Sequence, residues 1–540
     1  MKKRLLFTLI STLLIFSASG CKRHINLKNQ PPTSENTDKI GSYIKKIDLS
    51  FNDVTYKQML EDTIEDVKGA KSVDEIYNIV YKTYVKTNEL IEKYYVADAL
   101  YSYNQNDEEI KKKRSILSDT YYEYETFRAN ITYELRDEKE LLMELLGLTS
   151  IEDVNYEIEL AEKKKEDKYK TLKKEIDDIY DEFSKMNVGL KTDSSKVAEI
   201  TYRYVNKNKE LSEFLGFDSY IQYKDIEYNR LYTLDDSKKF ISNVKKYILP
   251  SLVNESDVID ISKLVDKLSY PEYSYLIELD ETSVYDKDYK TLNLAKDYAK
   301  KMGGSYYKTF HSFINDGHFV FANNSGSLAG GYTNPYLSYF GPGYQNINTV
   351  VHEFGHYYSM NVGGALYKSL DLEEFYSQGN EFLFMSYLEK YSEDNVKNVY
   401  DVLSAYKINE ACSTLVIGSA LREYEEKIYS TELTSQLDVL NIWEDLNANG
   451  YNNNLKDFWK VEVRYDNYYL SYATSVTGAL SLYSYSQTSF IKAKEAYISA
   501  CQNTNFDDDI EEVLEKNHLS NPFDEETFRQ IVEIIEEKRK

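Results

Sequence analysis

His352-Glu353-Phe354-Gly355-His356 places two imidazoles four residues apart with a carboxylate beside the first. With six His and 90 Asp+Glu in 540 residues, chance supplies about 0.01 such H-E-x-x-H matches. On a helix, residues four apart share a face about 6 Å from one another, so both rings can reach one zinc ion. Glu353 sits one position round. From there its carboxylate can take a proton from an attacking water without ligating the metal. The chemistry that suits this spacing is metal-assisted hydrolysis; the plain alternative is two helical histidines paired with carboxylates.

A helix must carry the motif, and the flanking residues provide one. Ile347, Val350, Val351 and Phe354 recur at i, i+3, i+4 and i+7, Asn346 can cap the start, and Gly363-Gly364 can end it. A catalytic zinc takes a third protein ligand and leaves its fourth position to water. Downstream, Asp371 to Glu389 predicts a second helix with Glu374, Ser377 and Glu381 on one face and Glu373 about 100° away. Glu374 is therefore the expected third ligand, and one zinc per chain is expected. Glu381, two turns on, can hold a histidine ring through its other nitrogen. Acids at a helix start also stabilise its dipole, which is the alternative role for Glu373 and Glu374.

The rest of the chain predicts a mainly helical fold. Only 7 Pro and 21 Gly punctuate 540 residues, too few for the many turns of a β-sandwich. Asp48 to about Met186 carries apolar residues at helical spacing, as in Ile76, Ile79, Val80 and Tyr84. Within it, Lys163 to Lys185 predicts one highly charged helix with a solvated face. A second helical stretch runs from about Ser195 to Ile248, where Gly216 can end one helix and Asp218 can cap the next. Between Gly303 and Gly343 glycines multiply and the runs His318 to Phe321 and Pro335 to Phe340 favour strands, predicting a small sheet just before the motif helix.

Taken together, these segments resemble the oligoendopeptidase F and thimet oligopeptidase family of zinc metallopeptidases. The resemblance rests on H-E-F-G-H at His352 to His356, E-x-x-S-x-x-x-E at Glu374 to Glu381, Ala329-Gly330-Gly331-Tyr332 with the Pro335 to Phe340 run, Leu215 to Tyr220, and a tyrosine-rich C-terminal segment. It covers roughly Ser195 to Tyr485, and the N-terminal third only in helical texture. It implies a two-lobed helical shell around a deep channel with zinc on its floor, admitting oligopeptides and not folded proteins. It further implies substrate contacts at Gly331, Tyr332, Tyr336 and Ser338, with Pro335 to Phe340 as an edge strand beside the peptide main chain; a plain sheet strand is the alternative.

Peptide hydrolysis also needs a donor to the developing oxyanion, and family members supply tyrosines for it. Tyr465 to Tyr472 holds four Tyr in eight positions, where 53 in 540 predicts about 0.8. Tyr465, Tyr469 and Tyr472 fall at i, i+4 and i+7, so Tyr469 or Tyr472 is the expected donor and Tyr465 a weaker candidate; a core face is the alternative. Two departures from the family pattern stand out. No histidine lies between His356 and His518, and Ser359 stands where many members carry a third histidine.

The first residues point to export. Lys2, Lys3 and Arg4 precede an apolar run from Leu5 to Phe16 and the small residues Ser17 to Gly20 before Cys21. This resembles a bacterial lipoprotein signal with lipidation at Cys21; ordinary secretion is the alternative. Removing it takes the formal charge from −25 to −28, because three cationic residues leave. The acidic balance makes nucleic acid an unsuitable partner, and lipid rather than a basic patch would hold the chain at the membrane. Cys412 and Cys501 allow one disulfide at most. The expected organisation is a signal over 1–20, a tether over 21–45, an N-terminal helical domain over 46–194 and a catalytic domain over 195–540. The expected protein is a monomeric, extracytoplasmic endopeptidase of short unfolded peptides. A peptide-binding lipoprotein with little turnover, or a metal-stabilised structural protein, fits the same motifs.

Overall fold

The structure, a computed structural model, describes residues 40–540 apart from 147, 149, 187, 189–191, 253–289, 323–326, 329, 343, 345, 364–368, 392–396, 452–454, 456, 505–507 and 540. The export signal, Cys21 and the tether up to residue 39 lie outside the described residues. The expected tether ends early: Ile40 bridges Val320, the Gly41 N–H donates to the Phe319 carbonyl at 2.9 Å, and Ser42–Lys46 forms a helical turn.

The principal elements, in chain order, are α1 (Asp53–Val67), α2 (Val73–Tyr103), α3 (Ser194–Leu215), β1 (Phe319–Phe321), β2 (Gly331–Thr333), β3 (Ser338–Phe340), α4 (Ile347–Val362), α5 (Leu370–Tyr391), α6 (Lys397–Ser430) and α7 (Tyr469–Thr488). The fold is mainly helical with one small mixed sheet. Two compact units emerge: Met1–Glu162 with Ser269–Tyr367 and Cys501–Phe506, and Lys163–Leu268 with Lys368–Ala500 and Asp507–Lys540. The chain leaves the first unit and returns to it. Among the described residues no helix is long and apolar enough to cross a membrane. Cys412 and Cys501 are buried thiols rather than a disulfide.

In the first unit, α1 and α2 start on side-chain caps, Asn52 accepting from the Thr55 N–H and Ser72 from the Glu75 N–H. α2 buries Ile76, Val80, Leu90 and Ile91 among Leu60, Val67, Leu142 and Leu145. Its buried polar side chains pair across to α1: Thr83 with Thr63 at 2.6 Å and Thr87 with the Tyr56 hydroxyl at 2.7 Å. This pairing offsets the cost of burying hydroxyls. The sheet has the order β1-β3-β2, with β1 parallel and β2 antiparallel to β3. β3 is thus the central strand, paired on both sides, and the edge role expected for Pro335 to Phe340 falls instead to β2, since Ile40 bridges the outer side of β1.

In the second unit, the charged stretch from Lys163 to Lys185 is two helices rather than one, broken at Glu166, whose ψ of 145° is extended. α3 ends at Gly216, whose φ of +92° suits a residue without Cβ, and Ser219 rather than Asp218 caps the next helix by accepting from the Gln222 N–H. Asp218 is occupied otherwise, its N–H donating to Gln222 Oε1. α5 and α7 are buried on nearly every face, so their polar side chains must be satisfied inside the protein.

Three buried carboxyls, Glu425, Glu462 and Asp466, share this unit's interior. Glu425 accepts the Asn467 N–H at 2.8 Å and Asp466 accepts the hydroxyls of Tyr204 and Tyr220. Burial, reinforced by the Asp466 charge and opposed by Arg422, pushes the Glu425 carboxyl up to about 8. Burial and the charges of Glu425 and Asp466 hold Glu462 well above the carboxylate range. Between pH 4.5 and 8 the folded chain keeps protons that the unfolded chain has released. Stability therefore falls across that window as pH rises. Urea unfolding monitored from pH 5 to 8 in a chelator should show this decline, and Glu425→Gln with Glu462→Gln should flatten it. An equally steep decline in the double variant would rule these groups out as its source.

Candidate metal centre

α4 is set by its cap and its aromatic anchor. The Asn346 side chain accepts from the Thr349 N–H at 3.0 Å, and the Phe354 ring meets Tyr306, Phe310 and Phe313 with centroids 4.9 to 5.6 Å away. Docking Phe354 inward fixes the helix rotation and so the direction of His352 and His356. Both histidines are buried, with ring centroids 5.0 Å apart. Ser359 is buried and donates its hydroxyl to the His356 carbonyl at 3.0 Å.

Glu353 is 1% exposed and held by the sheet. The Thr333 hydroxyl on β2 donates to its Oε2 at 2.7 Å, and Ser338 Oγ lies 2.8 Å from the same hydroxyl. Gly331, two residues before Thr333, is where a side chain would collide: a Cβ there would lie 2.5 Å from Glu353 Oε1. β2 therefore cradles the Glu353 carboxylate with a hydroxyl on one side and bare backbone on the other. The short sheet was legible in the sequence, but this pairing was not, because Thr333 and Glu353 are 20 residues apart and only the register of β2 brings them together.

The other expected substrate residues separate here. Ser338, on β3, is fully buried and its N–H donates to the His318 carbonyl at 3.0 Å. Tyr336 precedes β3 in a turn held by Asn334 Oδ1, and its carbonyl meets His318 Nδ1 at 2.8 Å. Neither residue stands on a sheet edge, whereas Gly331 and Tyr332 lie on the edge strand β2, with the Tyr332 ring stacked on Tyr339 at 5.1 Å.

α5 carries Glu374, Ser377 and Glu381 on a buried face, all at most 1% exposed, while Glu373 is half-buried. Tyr468 donates its hydroxyl to Glu374 Oε1, and the Ser377 hydroxyl lies 3.4 Å from Oε2. Glu381 makes a buried ion pair with Lys407 at 2.6 Å. Of the residues expected to hold a metal ion, His352 and His356 are buried on α4 and Glu374 is buried on α5.

The tyrosine segment departs from the expected single helix. A 3-10 helix ends at Arg464, Asn467 adopts φ +58°, and α7 begins only at Tyr469. The left-handed residue breaks the helical phase, so Tyr465 does not share a helix with Tyr469 and Tyr472, although the rings of Tyr465 and Tyr469 still meet at 5.1 Å. Tyr472 is buried and Tyr469 half-buried. Tyr468 is missing from the expected set, although on a helix from Tyr465 onward it would share a face with Tyr465 and Tyr472, three and four residues away.

No family model and no curated protein matches the chain. Solved structures do. One from Bacillus anthracis str. Ames, described as a "putative oligoendopeptidase F", is 16% identical over 91% of this chain and 97% of its own, with a TM-score of 0.67. PZ peptidase A with an inhibitor is 14% identical over 92% of this chain and 100% of its own, with a TM-score of 0.63. Oligoendopeptidase-F from Enterococcus faecium is 12% identical over 90% of this chain and 96% of its own, with a TM-score of 0.52. The chain therefore shares the mainly helical fold of the oligoendopeptidase F structures along nearly its whole length.

Proposed function

We propose that the chain is a zinc-dependent endopeptidase of the oligoendopeptidase F type, acting on short unfolded peptides. The observation that carries this is Glu353: it stands beside His352 in the H-E-x-x-H spacing on α4, and its buried carboxylate is held by the Thr333 hydroxyl. Two imidazoles and one carboxylate suit zinc; calcium and magnesium favour all-oxygen sites. His352, His356 and Glu374 would hold the ion, which supplies Lewis acidity that lowers the pKa of a water and polarises a carbonyl.

The chain's own residues do the proton work. Glu353 accepts a proton from the attacking water and returns it to the departing amine, and the Thr333 hydroxyl keeps its carboxylate oriented for both transfers. Tyr469 or Tyr472 donates to the oxyanion, with Tyr465 the weaker candidate. β2 offers main-chain groups along an edge, so an extended peptide adding at Gly331 and Tyr332 would lie beside the Glu353 carboxylate. Glu381, paired with Lys407, supports a histidine ring only if that ion pair leaves it an oxygen to share. Export by the signal-like N-terminus and a lipid at Cys21 would place the reaction outside the cytoplasm at the membrane surface. The histidine-free stretch from Tyr357 to Asn517 favours one rival, a lipoprotein that binds peptides and turns them over poorly.

Cleavage of a library of roughly 6- to 15-residue peptides, read by mass spectrometry with zinc analysis alongside, tests both. Glu353→Gln should keep one zinc per chain and lose about 10²- to 10⁴-fold in turnover; wild-type turnover in that variant would refute the mechanism. A zinc-loaded wild type that binds but never cleaves would establish the rival. Gly331→Ala, which pushes a methyl group against Glu353 Oε1, should lower turnover while zinc stoichiometry holds, and unchanged turnover would dismiss the cradle.

A further inference from the structure

Asn467 is buried and left-handed, and every polar group it owns is engaged. Its N–H donates to Glu425 Oε1 at 2.8 Å, its carbonyl accepts from Arg230 Nη2 at 2.6 Å, its Oδ1 accepts from Arg422 Nη1 at 2.6 Å, and its Nδ2 lies 3.4 Å from Asp225 Oδ1. Both guanidinium groups are fully buried, and Asp225 binds each of them, Arg230 at 2.9 Å and Arg422 at 2.6 Å. A non-glycine residue at φ +58° is disfavoured and persists only where its surroundings overdetermine it. Here they do.

The consequence falls on the next residue. With the helical phase broken at Asn467, Tyr468 turns toward α5 and donates its hydroxyl to Glu374 Oε1. The ring is 2% exposed and stands edge-on to Tyr228, 6.3 Å away, whose own hydroxyl donates to the Asp466 carbonyl at 2.9 Å. A carboxylate that accepts such a bond loses rotational freedom before any ligand arrives.

We propose that Tyr468 is a positioning residue for Glu374, and that the Arg230–Asp225–Arg422 clamp on left-handed Asn467 is what aims it. The inference rests on the zinc reading of His352, His356 and Glu374 and extends it: zinc affinity depends on residues that touch no ligand atom other than through the Tyr468 hydroxyl. Partners of ligating side chains change metal affinity by about 10- to 100-fold when removed.

The test is zinc affinity of the full-length chain, measured by competition with a chromophoric chelator, with thermal unfolding of each variant recorded alongside. Tyr468→Phe, which keeps the ring and removes the hydroxyl, should bind zinc about 10- to 100-fold more weakly. Asn467→Gly tolerates the left-handed backbone and keeps both main-chain bonds, so it should stay close to wild type. Asn467→Ala should fall toward Tyr468→Phe. In the double variant Asn467→Ala with Tyr468→Phe, the two losses should not add, because one acts through the other. Tyr468→Phe with wild-type zinc affinity, or additive losses in the double variant, would overturn the inference while leaving the metal site intact. A wild-type chain that takes up no zinc would instead overturn the metal reading and this inference with it.

Discussion

Asp371 is a carboxylate with no exposure to water, and the second unit is arranged around satisfying it. It lies on the first turn of α5, and its partners come from α7 and the chain before α5. Ser471 donates to Oδ2 at 3.0 Å, Thr474 and Tyr232 donate to Oδ1, Ser475 donates to its carbonyl at 2.6 Å, and Arg230 Nε stands 3.4 Å from Oδ2. A buried ion lacking such partners costs several kcal/mol, so the set cannot slip by one residue without leaving a charge unpaired. That requirement fixes the register of α5 against α7. Glu374, one turn after Asp371, inherits its position from that register, and so does Tyr468, just before α7.

Carboxylates of one chemical type are thus sorted into different tasks by what surrounds them. Glu353 lies against β2, with a threonine hydroxyl and a glycine backbone as neighbours. Glu374 faces a phenol, Glu381 an ammonium, and Asp225 two guanidiniums. Paired with cations, Asp225 is held below the ordinary carboxylate range against the pull of its burial. Glu425 and Glu462, crowded by other acids, are pushed the opposite way. Net charge says nothing of this sorting, because it is decided one neighbour at a time.

Local chemistry in the sequence was legible where one segment decides its own structure. The Asn346 cap, the Phe354 face of α4, the Gly216 terminus, the strand-forming runs and the shared face of Glu374, Ser377 and Glu381 all rest on spacing within a few residues. What spacing could not provide lies in pairings between distant segments. The central place of β3 depends on Gly331 to Thr333 adding a third strand, and three residues rich in small side chains give almost no periodic signal. The break at Asn467 was hidden for another reason. An asparagine between tyrosines at helical intervals reads as one more helical residue until Arg230 and Arg422, more than 230 and about 45 positions away, are seen to hold it. The charged stretch around Glu166 misled in the opposite sense, because solvated Lys and Glu tolerate a helix break that an apolar face would resist.

The abundance of tyrosine follows from the same arithmetic of satisfaction. A helical core short of Gly and Pro offers few turns at which backbone can meet buried polar groups, and the phenol combines a large apolar ring with a donor that reaches a carbonyl on the next element. Tyr424 reaches the Val439 carbonyl, Tyr497 the Tyr376 carbonyl, and Tyr339 the carbonyls of Ser102 and Leu328. Burial also raises the phenol pKa: Tyr228 is pushed up to about 12, and Tyr204, Tyr220 and Tyr232 are driven well above their usual value. These hydroxyls therefore remain donors throughout the neutral range. A histidine in their place would change its charge within that range. The stretch from Tyr357 to Asn517 contains no histidine and is dense in tyrosine, so its phenol hydrogen bonds do not switch charge in the neutral range.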